Sequence, residues 1–140
     1  MFKKLLILFP VMCSLSGCIF SYYMLSDEDV YNLGKEAAIT EKCLNLSHIP
    51  DLRNLHNKPN IGIFGQLWFL RRETIGQKVL GKRYHDIKND WFFSNSFQRK
   101  EGIWKRGFVE NLNVNVNSTI CKPYLDHYEG AYYRMKGRSY

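Results

Sequence analysis

The side chains best suited to chemistry are four cysteines (Cys13, Cys18, Cys43 and Cys121) and four histidines (His48, His56, His85 and His127). A zinc site needs three or four ligands at recognisable spacing, and the histidines are scattered singly. His85-Asp86 and Asp126-His127 set an imidazole beside a carboxylate, but neighbouring residues on a strand point to opposite faces and form no local dyad. Nucleophilic catalysis needs an activated Ser or Cys beside a base. No serine stands in a Gly-x-Ser-x-Gly elbow, and no cysteines have the Cys-x-x-Cys spacing of redox pairs. These residues point to no enzyme, no metal and no cofactor. More suggestive are four basic pairs beside aromatics: Arg71-Arg72, Lys82-Arg83, Arg99-Lys100 and Lys105-Arg106. Collected on one surface, they would form a contact patch for anionic headgroups or an acidic protein face. Spread out, they would guard strand ends against unwanted pairing.

The first 17 residues have the zones of an export signal: Lys3 and Lys4, the apolar run Leu5–Met12, then the small residues Ser14, Ser16 and Gly17. The apolar run is too short for a transmembrane helix, which needs about 20 residues, and Pro10 interrupts it. Leu15-Ser16-Gly17-Cys18 resembles the lipobox of bacterial lipoproteins. Cys13 is a poorer acceptor, because Met12 fills the position that pattern keeps small. The resemblance implies a diacylglycerol on the Cys18 thiol, cleavage before Cys18, and usually acylation of the new amine. Ile19 stands where an Asp would retain such a protein in the inner membrane. The implied destination is therefore the outer membrane, facing the periplasm. Two or more acyl chains, at about 0.8 kcal/mol per buried methylene, make release negligible.

Processing would leave a chain with 18 basic and 13 acidic residues, a net charge of +5. Export and the lack of a helix-turn-helix, zinc-finger or RNP-like pattern argue against nucleic acid. Processing also removes Cys13 and converts Cys18 to a thioether, so Cys43 and Cys121 remain to pair in an oxidising compartment. The expected organisation is a signal peptide over 1–17, a lipidated cysteine and tether over 18–25, and one periplasmic domain over 26–140. Ile19 to Leu25 span at most about 25 Å, which holds that domain close to the bilayer.

Within the domain, Ser26-Asp27-Glu28-Asp29 reads as a helix start: Ser26 caps and the acids occupy the positive end of the dipole. Val30, Leu33, Ala37 and Leu44 follow at helical spacing, which predicts a helix from about Asp27 to Leu46. His48 to Asn60 reads as a connecting loop. Five strands are expected at Ile61–Leu70, Thr74–Tyr84, Trp91–Gln98, Ile103–Val109 and Leu112–Asn117, the last a strict Leu/Val–Asn alternation ended by Pro123. The basic, tyrosine-rich tail from Gly130 to Tyr140 reads first as a frayed terminus, and second as an arm that touches a partner or membrane surface. The predicted fold is α+β: an N-terminal helix packed on an antiparallel sheet of about four or five strands, with one disulfide. The expected function is a non-catalytic, membrane-anchored lipoprotein that binds an envelope protein as an accessory or assembly factor. The alternative is an immunity or inhibitor lipoprotein that neutralises a toxin or cell-wall hydrolase.

Overall fold

The computed structural model describes residues 25–88 and 100–137. The leader, Cys18, the tether up to residue 24, the expected strand Trp91–Gln98, and Arg99 lie outside the described residues. Among those described, the fold is all helical: α1 (Asp27–Leu44), a 3-10 turn (Leu55–Asn57), α2 (Gly62–Leu80), α3 (Lys82–Lys88), α4 (Glu101–Asn111) and α5 (Ser118–Gly137). The expected antiparallel sheet is absent there, so the α+β class is corrected to all-α.

α1 forms where its sequence predicts. The Ser26 Oγ accepts the Asp29 N–H at 3.0 Å, and the Asp29 carboxylate accepts the Ser26 N–H at 3.3 Å, a reciprocal capping box. Val30, Leu33, Ala37 and Leu44 are all buried. The buried arc also takes in Gly34, Glu36, Ala38, Thr40 and Cys43, so α1 is the central helix, with α2, α4 and α5 around it.

The expected strands at 61–70, 74–84 and 103–109 lie in helices, because their buried stripes repeat about every four residues once small and polar side chains are counted. In α2 the stripe is Leu67, Arg71 and Ile75; in α4 it includes Gly107 and Asn111. Hydropathy alone does not register an arginine, a glycine or an asparagine as inward-facing. Leu112–Asn117 is an exposed link between α4 and α5 rather than a strand. Its alternation has no neighbouring strand to pair with among the described residues, and strand propensity depends on such packing. The Asn117 side chain instead accepts the Ile120 N–H at 2.8 Å and caps α5. Pro123 lies inside α5 on an exposed turn instead of stopping a strand. Helix α5 runs on through the expected frayed tail as far as Gly137, burying Ala131 and Tyr132.

Polar contacts between helices show their directions. Lys100, at the start of α4, meets Asp27 at 3.1 Å, and Lys42 donates to the Leu112 carbonyl at the other end, so α1 and α4 run parallel. Lys78 of α2 meets Glu36 while Arg83 of α3 meets Asp29, so the chain returns antiparallel to α1. α5 then runs antiparallel to α2, with Tyr124 at Lys78 and His127 at Thr74. Two apolar clusters fill the interior. One joins α1 to α2, α3 and α4 around Val30, Leu33, Leu80 and Tyr84. The other joins the end of α1 and the segment after it to α2 and α5, through Leu44, Leu52, Leu67 and Tyr128. Ile49, Leu52 and Leu55, expected in a simple connecting loop, are buried in this second cluster.

Candidate functional site

The structure joins Cys43 to Cys121, with Cα atoms 5.1 Å apart and both residues fully buried. The bond ties the last turn of α1 to the first turn of α5.

Among the described residues no sheet exists to collect the basic pairs along one rim, and Arg99 lies outside them. Arg83 makes a two-pronged contact with Asp29, Nη2 to Oδ1 at 2.9 Å and Nη1 to Oδ2 at 3.2 Å. Its neighbour Lys82 is exposed. Lys100 pairs with Asp27 and donates to the Leu25 carbonyl. Lys105 pairs with Glu101 one turn away on α4, and Arg106 lies 5.6 Å from the Tyr31 ring centre. Arg72 is exposed, whereas Arg71 is buried. Arg71 lies within α2, whereas Lys82 begins α3 beyond the break at Gly81. Several of these cations therefore lock helices together, and two of them hold the acidic first turn of α1.

That locking has a pH signature. Burial pushes the Asp29 carboxyl up, but the hydrogen bonds from Arg83 and Ser26 outweigh it and hold the group below its ordinary value of 3.8. A carboxyl depressed in the folded state contributes stability above its unfolded value, and that stability is lost as pH falls through the folded value. The unfolding midpoint should therefore fall as pH drops below the ordinary carboxylate range and through the lower folded value, and Asp29→Asn should flatten that fall. Denaturant melts at a series of pH values check this; an identical slope in the variant would contradict it.

A second polar tie joins three helices. Glu36 Oε1 of α1 receives Lys78 Nζ of α2 at 2.7 Å and the Tyr124 hydroxyl of α5 at 2.7 Å. Burial pulls Lys78 down, but hydrogen bonds to Glu36 and Tyr124 outweigh it and hold the ammonium above its usual value.

The histidines stay apart. His48 bridges Tyr133 (3.1 Å) and Glu129 (3.3 Å), His56 pairs with Glu41, and His127 meets Thr74 at 3.1 Å. Among the described residues no three His, Cys, Asp or Glu side chains converge as metal ligands.

One recess stands out at the end of α1 remote from Ser26. It is a shallow dimple too small to hold a water molecule, lined by Glu41, Leu44, Asn54, Leu55, His56 and Arg71. Asn54 shapes its mouth with a left-handed backbone, φ 58°. Arg71 is only 8% exposed and lies 5.3 Å from the Trp68 ring centre. Burial pulls the Arg71 guanidinium below its usual range, partly offset by the charge of Glu41. The nearby Trp68 Nε1 and Tyr128 hydroxyl are buried without hydrogen-bond partners. Burial pushes the Tyr128 phenol up to about 12.

In the sequence Arg71 reads as one of an exposed basic pair following Trp68, and nothing there marks Glu41 or Tyr128 as its neighbours. The available signal was Leu67-Arg71-Ile75, which puts Arg71 on the apolar face if the segment is read as a helix. Comparisons with protein-family models, curated proteins and solved structures find no match for this chain.

Proposed function

We propose that this protein is a lipid-anchored lipoprotein of the bacterial outer membrane, facing the periplasm, that binds an envelope protein without catalysis. The observation that carries the reading is Leu15-Ser16-Gly17-Cys18 with only seven residues, Ile19–Leu25, between the lipidated position and α1. Where that tether meets the helical body, the attachment is firm. Leu25 is buried, its carbonyl is held by Lys100, and the next turn is capped by Ser26 and clamped by Arg83. A load on the tether would pass into α3 and α4 as well as α1. The buried Cys43–Cys121 disulfide suits an oxidising compartment. Together, a short tether, a braced attachment and a disulfide-stapled body suit a part that holds another protein at the membrane.

Chemical cross-linking in cells tests this on the full-length chain, wild type and Cys18→Ala. The wild type should fractionate with the outer membrane and give a stoichiometric adduct with an envelope protein, while Cys18→Ala should accumulate as uncleaved precursor. If the captured protein is a toxin or hydrolase whose activity is lost in the complex, the accessory role fails and the immunity or inhibitor role replaces it.

A further inference from the structure

We infer that the link between α4 and α5, residues 113–117, is a pairing edge for a second copy of this chain, the two links joining antiparallel about a two-fold axis. Such pairing is separate from the capture of an envelope protein and does not depend on the anchor.

The link keeps a strand-like period of two yet pairs with nothing in its own chain among the described residues. Residues 115–117 are neither helix nor turn. The main chain is engaged at Leu112, whose carbonyl accepts from Lys42, and at Val114, whose N–H donates to the Asn111 carbonyl at 3.3 Å. Among the described residues no hydrogen bond ends on the main chain of Asn113, Asn115 or Val116. Asn113 and Asn115 are also exposed. Exposed N–H and C=O groups in this state are a template for an added strand. The edge is held at both ends, so pairing has little left to order. At one end Lys42 of α1 grips Leu112. At the other, the Asn117 carbonyl accepts the Cys121 N–H at 2.9 Å, its side chain caps α5, and Cys121 is bonded to Cys43.

Pattern and charge favour a second copy as the occupant. With Asn115 opposite its own counterpart, the two residues exchange a pair of N–H···O bonds across the axis. Val114 then stands across from Val116 of the second copy on one face, and Asn113 across from Asn117 on the other. Residues 111–121 carry no charge, and free edges are normally guarded by charge or proline. The first charges on either side are Glu110 and Lys122, both exposed. Antiparallel pairing sets the Glu110 end of one link against the Lys122 end of the other, whereas parallel pairing would oppose like charges. Each has a partner within its own chain, Tyr31 and Asp126 respectively, so these charges orient the pair more than they drive it. Apolar surface supplies the drive. Of eight exposed large apolar side chains among the described residues, four (Val109, Leu112, Val114 and Ile120) fall in this corner. A two-fold contact covers both copies' sets at once.

The test is sedimentation of the purified full-length chain in detergent over a range of concentrations, with disulfide trapping in membranes. The wild type should pass reversibly from monomer to dimer as concentration rises. Val114→Lys, at a side chain already 41% exposed, should stay monomeric where the wild type is dimeric, with an unchanged thermal midpoint. Glu110→Lys and Lys122→Glu should each weaken dimerisation by roughly fivefold, and the double exchange should restore it. Mild oxidant should trap Asn115→Cys as a species of twice the chain mass, but not Lys82→Cys, which is exposed at the start of α3. A wild type monomeric at every concentration, a Val114→Lys dimer as tight as the wild type, or equal trapping at both positions would overturn the pairing. So would trapping of Asn115→Cys to a different protein, because the edge would then serve another partner. Failure here leaves the lipidation of Cys18 and the capture of an envelope protein to their own tests.

Discussion

Replacing Cys43 and Cys121 together by Ala is expected to remove about 4 kcal/mol of stability. The bond closes a loop with a sequence separation of 78. On the chain-entropy account a loop of that length is worth roughly 4.5 kcal/mol, and measured values often fall short. Against the 5–15 kcal/mol typical of a whole domain, this leaves the variant marginal. The bond ties α1 to α5 beside the Glu36–Tyr124 hydrogen bond, and α5 packs on α2 as well. Either single replacement should cost about as much as both, since each opens the same loop. Denaturant melts with and without reductant provide the check. Reductant should lower the wild-type midpoint to that of the double variant and leave the double variant unmoved. A wild-type midpoint indifferent to reductant would refute the stapling role.

The second large effect lies where α1 and α4 cross. A methyl group on Gly34 would stand 2.1 Å from the Trp104 carbonyl oxygen, and one on Gly107 would stand 2.2 Å from the Tyr31 carbonyl oxygen. Both obstacles are backbone, so neither can swing aside as a side-chain tip would. The two helices meet main chain to main chain through a reciprocal pair of notches. Asn111 seals the contact, donating to the Gly107 carbonyl at 2.7 Å. Gly34→Ala or Gly107→Ala should each cost about 3 kcal/mol, at the upper end of overpacking, despite the better helix propensity of alanine. The double variant should cost clearly less than the two singles combined, because the first methyl already forces the helices apart. Chemical denaturation of the three variants measures this; a stabilised single variant would contradict the close crossing.

How much of this was legible beforehand depended on what each buried stripe is made of. α1 was legible because its start is a capping box and its stripe is conventionally apolar, with Val30, Leu33, Ala37 and Leu44. The disulfide was legible because a lipobox leaves Cys43 and Cys121 as the remaining pair. α2 and α4 were not, because Arg71, Gly107 and Asn111 occupy core-facing positions and break the apolar period. Gly107 is buried for its lack of a side chain, a virtue that appears only once Tyr31 is set against it. Leu112–Asn117 misled in the opposite sense: its period of two is real, but in the fold it links two helices. The Arg71 recess was hidden for the same reason as α2, because an arginine in a basic pair reads as solvated until the helix turns it inward.

The central claim is that the chain works as an anchored holder, and its most direct test is the mass of the N-terminal peptide of the protein recovered from membranes. The expected peptide begins at Cys18 and carries diacylglycerol on sulfur and an acyl group on the new amine. A peptide beginning elsewhere, or an unmodified Cys18 on membrane-bound protein, would contradict it.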